Sequence, residues 1–83
     1  MKPITQYGLM AEKHWKKFRP KMVAELEAKG LLHPMLLEAE EKTEAELDQI
    51  RRQLMRQGLT AQQAHDQAWA LVRERYIFLP AES

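Results

Sequence analysis

The sequence predicts a small all-α domain, a bundle of three to four helices, and three observations carry that prediction. Residues 35–57 and 59–79 contain neither Gly nor Pro and are rich in Ala, Leu, Glu, Gln and Arg, all good helix formers. Apolar residues recur at helical spacing through most of the chain. Alternating Val, Ile and Thr runs are missing, and the nearest strand candidate is Tyr76-Ile77-Phe78-Leu79 at the end. At 83 residues the chain has room for one domain.

The first helix is expected from an N-cap at Thr5 to about Arg19, with Tyr7, Met10, Ala11, His14 and Phe18 on one face. Pro20 disfavours helix at Arg19 and suits the first turn of a new one, so a kink or short break is expected there. A second helix carries Met22, Val23 and Leu26 inward and stops at Gly30. Leu31-Leu32-His33-Pro34 reads as a connector, with Pro34 opening a third helix. That helix carries Leu36, Ala39, Thr43, Leu47, Ile50 and Leu54 on its seam and ends at Gly58. It is long, roughly 35 Å at 1.5 Å per residue. Thr60-Ala61-Gln62-Gln63 matches a capping box and starts a fourth helix, packed antiparallel to the third. Its main stripe is Ala61, Ala64, Ala68, Leu71 and Val72, flanked by His65, Trp69 and Tyr76. Residues 1–4 and 81–83 are expected to be frayed ends of the single domain 1–83.

Composition narrows the function classes. With no Cys, disulfide scaffolds, thiol catalysis and thiolate metal sites are excluded. No apolar stretch approaches the roughly 18 residues of a membrane span, and a cytoplasmic protein without membrane association is expected. Enzyme signatures are missing as well: there is no Gly-rich phosphate loop, nucleophile elbow or His-Glu-x-x-His. Ser83 is the only serine, and His14, His33 and His65 lack ligand-type partners at helical spacing. No catalytic residue, cofactor or metal site is expected, and the chain reads as non-enzymatic.

The near-neutral net charge of +1 hides strong segregation. Residues 1–22 sum to +5, residues 23–50 to −6, and residues 51–83 to +2. In the third helix the acids come first and Arg51, Arg52 and Arg56 come last, an order that complements the helix dipole. Helix stabilisation does not account for the basic excess at the start. There, His14-Trp15-Lys16-Lys17-Phe18-Arg19-Pro20-Lys21 interleaves bases with aromatics. Such a patch suits phosphate contacts with Trp15 as a stacking platform, or a protein interface. The plainer alternatives are a solvated helix face with Trp15 in the core, or neutralisation by the acidic helix alongside. The candidate contact residues are Lys13, Trp15, Lys16, Lys17, Arg19 and Lys21, with Arg51, Arg52 and Arg56 as a secondary basic patch. The third and fourth helices also invite a helix-turn-helix reading. The exposed face of the fourth, with Gln62, Gln63, Asp66, Gln67 and Arg73, suits phosphates poorly, and generic antiparallel packing is the better explanation.

The order of motifs carries a family resemblance. Tyr7-Gly8-x-Met10, Lys13, Arg19-Pro20 and a Leu26-x-x-x-Gly30-x-Leu32 segment precede an acidic helix. Gly58-Leu59-Thr60, Asp66-Gln67 and Ala68-Trp69 follow. Over roughly residues 7–72 this resembles the transposon-encoded TnpV-like family, and departs from it at Tyr76-Ile77-Phe78-Leu79-Pro80. The resemblance implies a mobile-element context and transfers no catalytic residue. The expected function is thus a small accessory protein that binds a macromolecular partner, with a protein partner preferred and nucleic acid the alternative on the same patch. Self-association along the long third helix is a further expectation.

Overall fold

The computed structural model describes residues 3–82. Four helices follow the punctuation of the sequence: α1 (Gln6–Phe18), α2 (Pro20–Ala28), α3 (Leu32–Arg56) and α4 (Ala61–Tyr76). No strand occurs among the described residues, and the long α3 packs along α4. No helix among them is long and apolar enough to cross a membrane.

Local chemistry sets the boundaries. Arg19 leaves helical geometry with φ −134° and ψ 54°, and Pro20 opens α2 where its missing N–H is one of the unpaired amides anyway. Both α2 and α3 end in Schellman motifs around a left-handed glycine. Gly30 has φ +70°, with Leu31 N donating to Leu26 O at 2.8 Å and Gly30 N to Glu27 O at 3.0 Å. Gly58 repeats the arrangement at φ +102°, with Leu59 N on Leu54 O and Gly58 N on Met55 O. The capping box of α4 forms in both directions: Gln63 N donates to Thr60 Oγ1 at 3.2 Å and Thr60 N to Gln63 Oε1 at 3.0 Å. α3 starts two residues before the expected Pro34, at Leu32, because a proline within the first turn still gives up no helical hydrogen bond.

The core has two parts. Ala11, Trp15, Val23, Leu36, Ala39 and Ile77 are buried together where α1 and α2 cross the first half of α3. Leu47, Ala68 and Val72 join the middle of α3 to α4, and Ala64 is also fully buried. Small residues on α4 let the two backbones approach closely.

Two predicted faces are turned from their expected positions. On α1 the fully buried residues are Gly8, Ala11 and Trp15, while Phe18 is exposed. On α4 the buried face is turned toward His65, Trp69 and Tyr76, leaving Leu71 56% exposed and Ala61 in solvent. On α4 aromatic contacts draw Trp69 inward, its ring 5.4 Å from Tyr7 and edge-on to Phe78 at 5.9 Å, while on α1 the Trp15 indole enters the core and donates its N–H to Ile77 O.

The molecule is flat and elongated, 47 × 32 × 14 Å, with a radius of gyration of 14.3 Å. A compact domain of this length would have about 12 Å. The excess lies in α3, where no residue after Leu47 is buried. The far halves of α3 and α4 form an arm beyond the main core.

After α4 the chain becomes a strap laid across α1 and α2. Trp15 Nε1 donates to Ile77 O at 3.1 Å, His14 Nε2 to Leu79 O at 2.8 Å and Arg19 Nη1 to Pro80 O at 2.8 Å. Glu82 then accepts from Met22 N at 2.9 Å and Lys21 N at 3.2 Å, while its own N–H donates to Phe18 O. Within the expected frayed end 81–83, Glu82 makes these contacts because the free amides at the start of α2 bind a carboxylate. Ile4, also expected to fray, is half-buried against the core. Residues 1, 2 and 83 lie outside the described residues.

Candidate interaction surface on the first helix

Helical geometry divides the basic-aromatic cluster of the sequence into separate sites. Residues 10, 13, 14, 17 and 18 follow i, i+3, i+4, i+7 and i+8 spacing and share one face of α1. The strap brings Phe78 to that face. Met10, Lys13, His14, Lys17, Phe18 and Phe78 surround an open cleft of about 330 Å³. Its aromatic wall is continuous, with the His14 ring 4.5 Å from Phe18 and 5.1 Å from Phe78. The hydrogen bond from His14 Nε2 to Leu79 O holds the imidazole in place.

Lys13 and Lys17 form the basic rim of this cleft. Lys17 Nζ stands 5.3 Å from the Phe18 ring centroid, a cation–π contact. Neither lysine has an ion pair among the described residues. Among the described residues no ion pair joins either lysine to the acidic helix. Three acids of α3 pair with bases of α3 and α4: Glu38 with Lys42 at 2.8 Å, Asp48 with Arg51 and Arg52, and Glu46 with Arg75. Glu40 turns inward to the start of α1.

The other candidates are placed elsewhere. Trp15 is 3% exposed and packs in the core, so its expected role as a stacking platform is corrected. Its indole follows Gly8 and Ala11 on the buried face, and its N–H is used by Ile77 O. Lys16 lies off the cleft face and pairs with Glu12 at 3.7 Å. Arg19 and Lys21 stand at the α1–α2 corner, where the guanidinium of Arg19 and the backbone of Lys21 hold the strap. In the secondary patch, Arg51 and Arg52 share Asp48, at 2.8 and 3.1 Å, while Arg56 has no ion pair among the described residues. Surface pairs of this kind are worth about 0–1 kcal/mol and leave the arginines available.

Met10, His14, Phe18 and Phe78 belong to the surface although none was a candidate contact. The first three were expected to face the core. Phe78 lies 60 positions from Phe18 in sequence, and only the strap brings it to α1. Among the described residues no group of three or more His, Asp or Glu is arranged to hold a metal ion.

No family model matches the chain, and neither a curated protein nor a solved structure is detectably similar to it. The resemblance to the TnpV-like family rests on the order of its own motifs alone.

Proposed function

We propose that this chain is a small cytoplasmic, non-enzymatic accessory protein that binds another protein through the cleft face of α1. The observation that carries this reading is the pairing of Lys13 and Lys17, both without ion pairs among the described residues, with an exposed aromatic cleft. An apolar centre with a charged rim is the usual anatomy of a protein interface. The motif order shared with the TnpV-like family supplies the mobile-element part of the reading. Self-association along α3 belongs to it too, supported by the arm beyond Leu47, where no residue of α3 is buried.

Nucleic acid is the second reading, on the same lysines together with Arg51, Arg52 and Arg56. Burial of Trp15 weakens it, since the rings left beside the lysines, His14, Phe18 and Phe78, pack against one another along the cleft wall. The two are separated by running mobility shifts with duplex and single-stranded DNA beside affinity capture from native cells. The protein reading expects no shift at moderate salt and a captured protein lost on Lys13→Glu/Lys17→Glu. A shift whose affinity falls steeply with salt, and is abolished by the same substitutions, transfers the function to nucleic acid.

A further inference from the structure

The strap shows in cis what kind of segment this side of the molecule accepts. Ile77, Phe78 and Leu79 provide apolar side chains, and Glu82 provides a carboxylate three residues later. The apolar residues pack against the core formed by α1, α2 and α3, and the carboxylate binds the amides of Lys21 and Met22 at the start of α2. The neighbouring cleft also sets apolar surface beside groups that attract a carboxylate, here two lysine ammonium groups in place of backbone amides. Met10, His14, Phe18 and Phe78 make an apolar floor of about 330 Å³ with Lys13 and Lys17 above it. The two lysines are four residues apart, roughly one helical turn, and face solvent without acidic partners among the described residues.

We infer that the cleft between α1 and the strap is a binding site for an acidic–hydrophobic peptide segment of a partner protein, one bulky apolar side chain entering between Phe18 and Phe78 while flanking carboxylates reach Lys13 and Lys17. This rests on the protein-binding reading of α1 and specifies its partner. Charge complementarity selects the acidic flank, because the rim carries two cations and no anion. The floor selects the apolar residue, since His14, Phe18 and Phe78 present ring faces and edges that glutamates alone do not cover. The imidazole is already held by Leu79 O, so the wall is preorganised and little ordering accompanies binding.

The test uses the full chain and three synthetic peptides. The first has glutamates flanking a phenylalanine–leucine pair, the second replaces that pair with serines, and the third replaces the glutamates with glutamines. Titration is followed by NMR at the Met10 methyl, the Phe18 and Phe78 rings, and the Lys13 and Lys17 amides. The first peptide is expected to shift all of these, and each control to bind on the order of tenfold more weakly. Lys17→Glu is expected to weaken the first peptide by about tenfold. Lys16→Glu makes the same charge change away from the cleft and is expected to alter affinity by less than about twofold. Equal binding of the serine peptide overturns the inference while leaving a basic protein-binding face intact. Absence of peptide binding overturns it too, and partner capture sensitive to Lys13→Glu/Lys17→Glu then shows that the broader reading survives. Tighter binding of oligothymidylate with shifts at the same atoms overturns both.

Discussion

At Glu40 a single carboxylate oxygen ties down Thr5 and Gly8 at the start of α1. Oε1 accepts from Thr5 N at 2.7 Å, from the Thr5 hydroxyl, and from Gly8 N at 3.0 Å. Thr5 is the N-cap residue by position, yet the cap comes from another helix 35 residues away. That arrangement explains Gly8. A Cβ there would lie 2.7 Å from Ile4 Cβ and 3.2 Å from Glu40 Oε1. Gly8→Ala is expected to cost about 1–3 kcal/mol, and Glu40→Ala about the same by leaving buried amides unpaired, both read by urea denaturation. Tyr76 gives a second prediction at this scale. Its hydroxyl donates to Glu46 Oε1 at 3.1 Å, and that bond, with partial burial and the glutamate charge, raises the phenol pKa above its ordinary value. A group held protonated in the fold stabilises it below the unfolded pKa and loses that contribution as pH rises through the folded value. Glu46→Gln is therefore expected to lower the Tyr76 midpoint in an alkaline titration followed by tyrosine ring NMR.

The strap is the element that makes the surface on α1. It supplies Phe78 to the cleft and holds His14 through Leu79, and it caps α2 with Glu82. Glu82→Ala is expected to destabilise the protein by about 0.5–2 kcal/mol, and to speed hydrogen exchange at Lys21 and Met22 before the rest of α2. The strap also marks where sequence reasoning stops. The helices were legible because their signals are local: Pro20 at a start, Gly30 and Gly58 at ends, Thr60 and Gln63 in a box. Helix spacing also placed Ala39, Thr43 and Leu47 correctly on the seam. The roles of Glu40, Glu82 and Phe78 were not legible, since each acts on a distant segment and no periodicity encodes that pairing. Glu40 looked like one more acid on a charged helix.

Over the whole molecule, part of the segregated charge is paired within helices and between α3 and α4. Of the basic excess of residues 1–22, Lys13 and Lys17 stand on the outside of α1 without ion pairs among the described residues. The sequence located that excess correctly but could not separate its parts, because neighbouring residues on a helix point about 100° apart. Hence Trp15 is in the core, Lys16 is paired with Glu12, and Lys13 and Lys17 rim a cleft. The flat shape has its own consequence. The arm beyond Leu47 lacks buried α3 residues, so amides from Ile50 to Arg56 are expected to exchange faster than those from Leu36 to Leu47. If two copies pair along α3, light scattering at high concentration gives a dimer mass and those amides become protected; a monomer with fast exchange removes self-association from the account.

Protein recognition through the cleft face of α1 is read by quantitative affinity capture from native cells with three baits: the unaltered chain, Lys13→Glu/Lys17→Glu, and Lys16→Glu/Lys29→Glu as a charge-matched control on other surfaces. One partner is expected to be retained by the first and third baits and depleted on the order of tenfold with the second. Equal recovery of that partner by all three baits would rule out recognition through this face.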